Sequence, residues 1–171
     1  MTAMARVFLS LGSNLGDRQG YLEYALRQLV IRGVHVTARS PIYETEPWPE
    51  QRVPRERWFL NRAVAIETEL SPYRLLGVLQ EIENAAGRVR PTAPSPQYAD
   101  RTLDIDILLY EDRIVSDDRL QIPHPLLHER RFVLMPLADI APEVEHPTLY
   151  QTIREILADL GDPGGIFPYA E

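Results

Sequence analysis

Apolar positions recur along this chain with two different periods, and the switches between them mark the elements. Residues 5–11, Ala-Arg-Val-Phe-Leu-Ser-Leu, read as a first strand. From Asp17 to Arg32 the period lengthens. Tyr21, Leu22, Ala25, Leu26, Leu29 and Val30 form one helical stripe, with Asp17 set to cap it and Gly33 to end it. Residues 34–43 predict a second strand that stops at or just past Pro41. Residues 58–70 predict a third, with Phe59, Asn61, Ala63 and Ala65 on one face and Leu60, Val64 and Ile66 on the other. Ser71 and Pro72 open a second helix as N-cap and first residue. Its stripe is Leu75, Leu76, Leu79 and Ile82, and Gly87 ends it. A fourth strand spans 101–110. A short extended piece follows over 120–125, then helical turns over 126–135 and an amphipathic helix over 149–160. The tail from Gly161 is expected at the surface.

The order strand, helix, strand, strand, helix, strand is the ferredoxin-like βαββαβ arrangement. It predicts an α+β fold: a largely antiparallel sheet, helices packed on it, and a C-terminal helical appendage. One domain over 1–171 is expected. Many unrelated functions use this arrangement, so function has to come from the site.

The chemistry concentrates on the fourth strand, Arg101-Thr102-Leu103-Asp104-Ile105-Asp106-Ile107-Leu108-Leu109-Tyr110. Alternation turns Leu103, Ile105 and Ile107 one way and Asp104 and Asp106 the other. Two carboxylates about 6.5–7 Å apart at Cα raise one another's pKa unless something positive lies between them. The strand is otherwise so apolar that it reads as central and buried on both faces, where unpaired Asp is uncommon. Mg²⁺ is held by one or two carboxylates plus substrate phosphates, and Arg101 beside the pair suits phosphate oxygens.

Three loops carry further candidates. Gly12-Ser13-Asn14-Leu15-Gly16-Asp17 is either a structural turn or a phosphate cradle, but it lacks the Lys-Ser/Thr of a Walker loop and the third Gly of a dinucleotide fingerprint. Residues 44–57, with Pro47, Pro49 and Pro54, have the length of a binding loop; Trp48 there is either a local staple or a stacking surface for a ligand. Residues 91–100 lie between Arg88 and Arg90 on one side and the Asp pair on the other, which makes them a lid over a phosphate-bearing substrate or a plain connector. Asn61 is out of place on a strand, so it either sits in a bulge or reads a ligand's hydrogen-bonding edge. His124 and His128, four apart, make a poor zinc pair: Pro125 separates them and no third ligand clusters nearby.

Composition narrows the field. The chain has 171 residues, a net charge of −7, and no Cys. The acidic balance argues against nucleic acid as a partner, and the absence of Cys removes disulfides and thiolate metal sites. No leader pattern opens the chain and no apolar run reaches membrane-spanning length, so a cytoplasmic protein is expected.

The chain resembles the 6-hydroxymethyl-7,8-dihydropterin pyrophosphokinases of folate biosynthesis. The likeness rests on residues 9–16 (Leu-Ser-Leu-Gly-Ser-Asn-Leu-Gly), Tyr43-Glu44-Thr45, Phe59-Leu60-Asn61, Gly87-Arg88-Val89-Arg90, the Arg-Thr-Leu-Asp-Ile-Asp block from Arg101, and Ile122-Pro123-His124-Pro125 followed by Arg130 and Phe132. It implies transfer of a diphosphate from ATP to the pterin's hydroxymethyl oxygen, with AMP released. It implies that Asp104 and Asp106 hold two Mg²⁺ ions, with Arg88, Arg90 and Arg101 in the catalytic cluster. The nucleotide site it implies comprises Leu76, Gln80, Arg90, Ile107, Arg119, Gln121, His124 and Arg130. The pterin would lie between Phe59 and Phe132, read by Asn61 and by backbone near Thr45 and Trp48. The substrates are then small molecules, with no nucleic acid or membrane partner.

The chain departs from the family pattern in its lid. Where much of the family ends that loop Arg-Trp-Gly-Pro-Arg, this chain has Gln97-Tyr98-Ala99-Asp100-Arg101, which removes a positive charge. The binding loop is extended by residues 52–57, and Arg55 and Arg57 read there as solvated surface charges. A nucleotidyl transferase using the same Asp pair would leave Phe59, Asn61 and Phe132 unexplained as a group. A ferredoxin-like RNA-binding module would want aromatic stacking residues and basic charge.

Overall fold

The computed structural model describes residues 3–47, 52–87, 101–161 and 165–170. In chain order it forms β1 (Ala5–Ser13), α1 (Arg18–Ile31), β2 (His35–Arg39), β3 (Tyr43–Thr45), a 3₁₀ turn (Arg55–Arg57), β4 (Phe59–Thr68) and α2 (Pro72–Ala85). β5 (Asp104–Tyr110), β6 (Val115–Ser116), β7 (Gln121–Ile122), a second 3₁₀ turn (Leu127–Glu129), α3 (Arg131–Ile140), α4 (Ile153–Asp159) and β8 (Ile166–Pro168) follow. The main sheet runs β5-β1-β4-β3-β8, with β2 also paired to β4, and every pairing in it is antiparallel. With β2 and β3 taken as one interrupted strand, this is the expected ferredoxin-like order.

Each sheet face has its own core. Val7, Leu9, Leu11, Leu60, Val64 and Ile66 turn toward α1 and α2, where Leu22, Leu29, Leu75, Leu79 and Ile82 are fully buried. Phe8, Ala63, Ala65, Leu108 and Leu109 turn toward α3 and α4 and meet Val133, Leu134, Leu137 and Ile153. The first two helices begin as the sequence signals, with Asp17 accepting from Gly20 N–H and Ser71 from Arg74 N–H; α4 begins at a full capping box formed by Thr152 and Glu155.

Four expectations need correction. The strand expected over 34–43 is two strands, broken at Ser40 and Pro41 because proline has no N–H for the ladder. Side chains bridge the gap: Ser40 Oγ accepts from Ala63 N–H, and the buried guanidinium of Arg62 donates to Ser40 O at 3.0 and 2.7 Å. The Asp strand is an edge strand, not a central one. It is nonetheless buried, because other groups take its outer edge: Glu83 Oε2 accepts from Ile105 N–H at 2.8 Å, and His124 N–H donates to Leu108 O at 3.0 Å. The helical turns expected over 126–135 are a 3₁₀ turn followed by α3, which runs on through Pro136 to Ile140. The helix expected over 149–160 starts only at Ile153, and the tail, at the surface as expected, adds β8 beside β3.

Candidate active site

The face carrying α3 and α4 is apolar over only part of its length. Toward the other end, antiparallel register sets Asp104 beside Gly12, Gly12 beside Asn61, and Asn61 beside Tyr43. The next row sets Asp106 beside Ser10, and Thr45 lies opposite Phe59. Four strands therefore bring two carboxylates, a carboxamide, a hydroxyl and an aromatic ring onto one stretch of sheet. The register through Asn61 is continuous, so the bulge reading is excluded. Asn61 Nδ2 donates to Thr45 Oγ1 at 2.6 Å, and both residues are buried. Gly12 is what lets the carboxamide lie across the sheet: a Cβ there would stand 2.8 Å from Asn61 Oδ1 and 3.6 Å from Phe59 Cδ1.

The acidic pair is crowded, as its spacing predicts. Asp106 lies on the floor of a concave cleft, where solvent reaches 37% of its side chain but protein surrounds it. Removal from bulk water, with Asp104 beside it and Glu83 behind, pushes its carboxyl up to about 7, against the opposing pull of Arg130 and Arg101. Arg101 Nη1 pairs with Asp104 Oδ2 at 2.9 Å. His124 Nε2 faces Asp106 Oδ2 at 4.0 Å. Its Nδ1 accepts from Leu126 N–H at 3.1 Å, which leaves the neutral ring's proton on Nε2. Burial and the Arg130 charge push this imidazole down to about 4, so it serves as a neutral donor aimed at the acidic pair. Burial also lowers Arg130, while Asp106 and Asp104 oppose the shift. Its guanidinium lies 5.6 Å from the Phe132 ring centroid at the start of α3.

This donor set fits a hard divalent cation. Two carboxylates that raise one another's proton affinity lose that repulsion when a 2+ charge lies between them. Among the described residues no cluster of three or more His, Asp and Glu forms, so remaining ligand positions would fall to water and phosphate oxygens.

A cavity of about 310 Å³ opens from Asp106 along β5. Leu76, Ile107, Arg119, Gln121 and His124 line it, together with Asp117 and Asp118. Five of the residues expected around a nucleotide thus meet in one place. Gln80 follows Leu76 by one turn of α2 and is half-buried. Phe59 is the first residue of β4, and Phe132 lies in the first turn of α3. Trp48, Arg88 and Arg90 lie outside the described residues, as do Gln97 and Tyr98.

Sequence reasoning passed over two residues. Asn14 is buried and ties three segments together. Its Oδ1 accepts from Arg101 N–H at 2.7 Å, its own N–H donates to Arg101 O at 3.0 Å, and its Nδ2 donates to Arg57 O at 3.1 Å. The loop it belongs to therefore positions the site's edges. Glu83 sits four residues after Leu79 on the apolar side of α2, a charge where the stripe calls for a hydrophobe. That misfit was the available signal. Arg55 also departs from expectation: it pairs with Glu44 at 2.8 Å and is no plain solvated charge.

The pattern of the 7,8-dihydro-6-hydroxymethylpterin-pyrophosphokinase (HPPK) family matches residues 8–142. A 2-amino-4-hydroxy-6-hydroxymethyldihydropteridine pyrophosphokinase of Methylorubrum extorquens is 48% identical over 164 residues, 95% of this chain and 98% of that one. The folic acid synthesis protein fol1 of Schizosaccharomyces pombe is 41% identical over 158 residues, which is 92% of this chain but 21% of the yeast protein. Among solved structures, the wild-type HPPK-DHPS of Plasmodium falciparum with pterin and p-hydroxybenzoate superposes with a TM-score of 0.69 at 18% identity, covering 92% of this chain and 43% of that one. At that identity the likeness is one of fold.

Proposed function

The chain belongs to the HPPK family, and from that membership we propose that it transfers a diphosphate from ATP to the hydroxymethyl group of 6-hydroxymethyl-7,8-dihydropterin, releasing AMP, in folate biosynthesis. The observation that carries this reading is one face of the sheet across β5, β1, β4 and β3: a metal-fitting acid pair on β5, the Asn61 carboxamide, Thr45 hydroxyl and Phe59 ring on β4 and β3, and Gly12 open between them in the row of Asp104 and Asn61. Carboxylates alone would suit any metal-dependent nucleotide enzyme. The carboxamide edge beside an aromatic wall is what a flat heterocycle with an amide edge requires.

In the reaction the hydroxymethyl oxygen forms a bond to the β-phosphorus of ATP. The bond from that phosphorus to the oxygen bridging to the α-phosphate breaks, and AMP leaves with those electrons. The hydroxyl proton is left to water, since no side chain among the described residues is an evident base for it. The protein's share is positioning and electrostatics, as in phosphoryl transfer generally. Asn61 and Thr45 orient the pterin edge, with Phe59 and Phe132 on its faces and Trp48 near its loop. The cavity beside β5, with Gln80 adjoining, takes the nucleotide. Neutral His124 donates toward the phosphates, while Arg101, Arg130, Arg88 and Arg90 oppose charge that develops there. Two Mg²⁺ ions held by Asp104 and Asp106 would add positive charge at the triphosphate and lower the repulsion met by the attacking oxygen. The enzyme is read as one cytoplasmic domain acting on small molecules.

The acid pair offers the direct test. Asp104→Ala and Asp106→Ala should each lower AMP release about 10³-fold, since each removes a charge that acts only as the transition state forms. Circular dichroism should stay that of the parent. Unaltered turnover in either variant would remove the metal assignment.

A further inference from the structure

The end of the chain is built into the far side of the proposed pterin wall. β8 lies along β3 with Thr45 opposite Ile166, Glu44 opposite Phe167 and Tyr43 opposite Pro168. Backbone bonds carry the ladder past both ends: Glu46 N–H donates to Gly165 O, and Tyr169 N–H to Ile42 O, both at 2.9 Å. The outer edge of the strand bearing Thr45 is thus closed by the tail.

Behind that strand, on the face away from Thr45, residues of four segments gather around the Glu44–Arg55 pair. Glu44 has 11% of its side chain exposed. It accepts from Arg55 Nε at 2.8 Å and pairs with Arg18 Nη1 at 2.9 Å. The Arg55 guanidinium lies 4.9 Å from the ring centroids of both Trp58 and Phe167, and those two rings stack at 6.1 Å and 20°. Arg18 also donates to Trp58 O at 2.8 Å. An exposed Arg–Glu pair contributes almost nothing. A buried carboxylate is costly to leave without its hydrogen-bond partners, and Arg55 is further held by two ring faces. Loss of one member therefore loosens the rest.

We propose that this cluster is a clamp in which the C-terminal strand, through Phe167 and the Arg55–Glu44 pair, fixes the returning limb of the 46–58 loop and so sets Thr45 and Phe59 for the pterin. The proposal rests on the pterin reading given above. Adjacent strand residues point to opposite faces, so Glu44 and its neighbour Phe167 face away from Thr45, and Arg55 packs against both on that side. They are positioning residues, and their effect belongs to pterin binding alone.

The test compares the full-length chain with Arg55→Gln, Arg55→Lys, Phe167→Ala and the Arg55→Gln/Phe167→Ala double variant. Disorder introduced into a binding loop has to be reversed when ligand binds, so pterin KM should rise about 10-fold in Arg55→Gln and in Phe167→Ala. The double variant should add little to either, because one clamp is broken in all three. The ATP KM and kcat should stay within about twofold, and Arg55→Lys, which keeps the charge but not the flat stacking surface, should fall between. Amide hydrogen exchange over 42–46 and 55–58 reads the clamp without any turnover and should speed up in both single variants. Unchanged exchange and unchanged pterin KM would overturn the clamp. An equal loss for ATP, pterin and thermal stability would reduce it to ordinary scaffolding. A parent enzyme with protected amides that forms no AMP from pterin would instead remove the reading on which the inference rests.

Discussion

Gly12 sits between the acid pair and the carboxamide, and its missing side chain decides what the site floor can hold. With Asn61 Oδ1 only 2.8 Å from where a Cβ would stand, Gly12→Ala must displace the carboxamide. A misplaced hydrogen-bonding edge costs about 1–2 kcal/mol, so the variant should bind pterin about 10-fold more weakly while ATP binding holds. Equal losses, measured by titration with each ligand, would argue against the floor. Asp106 gives a second expectation with a defined sign. Its folded-state carboxyl titrates near 7, above the ordinary value near 4, so the fold is favoured while the group is protonated and loses that advantage as pH rises from about 4 to 7. Asp106→Asn should therefore make the metal-free protein more stable at pH 8, by about 1 kcal/mol once screening in an open cleft is counted, with the gain shrinking toward pH 5. Urea midpoints at the two pH values read this directly. The Asp pair and Asn61 were legible in the sequence because each breaks an apolar strand pattern locally. Asn14 was not, since its partner Arg101 lies 87 positions away.

At the scale of elements, periodicity found the four long strands' worth of sheet and the two long helices, and it missed what depends on neighbours. β5 reads as a central strand because it is apolar on both faces, yet its outer edge is closed by a helix side chain and a loop, which no local pattern encodes. A bulge opposite the Phe8–Leu9 step puts Leu108 and Leu109 on the same face, so the alternation that aims the Asp pair ends where the second core begins. β8 is three residues long and acquires strand geometry only from β3. The α3–α4 connection supplies a pH test. His146 is buried, and its Nδ1 accepts from Thr148 N–H and Leu149 N–H, each at 3.2 Å. Burial lowers its pKa, so the unfolded chain takes up its proton first and stability falls as pH drops below about 6.5. Relative to the parent, replacing it with Gln should shift the change in urea midpoint from pH 7.5 to 5.5 toward stability, with His124 and Asp106 contributing slopes of opposite sign in both proteins. An unchanged slope would mean that the turn tolerates an imidazolium.

The whole molecule is a sheet with a core on each face, and the candidate site lies where the second core gives way to polar residues. The position follows from packing: α1 and α2 cover one face, while α3 and α4 leave the far end of the other for chemistry. The sequence carries a net −7, and at the cleft Arg101 and Arg130 oppose the charge of the acid pair while Arg119 lines the cavity beside Asp117 and Asp118. The central claim is the kind of group transferred, and the nucleotide product reports it most directly. Incubation with Mg-ATP and 6-hydroxymethyl-7,8-dihydropterin should yield AMP, and only when pterin is present. ADP would mean transfer of a single phosphoryl group, and AMP formed without pterin would mean that the acceptor is not the one proposed.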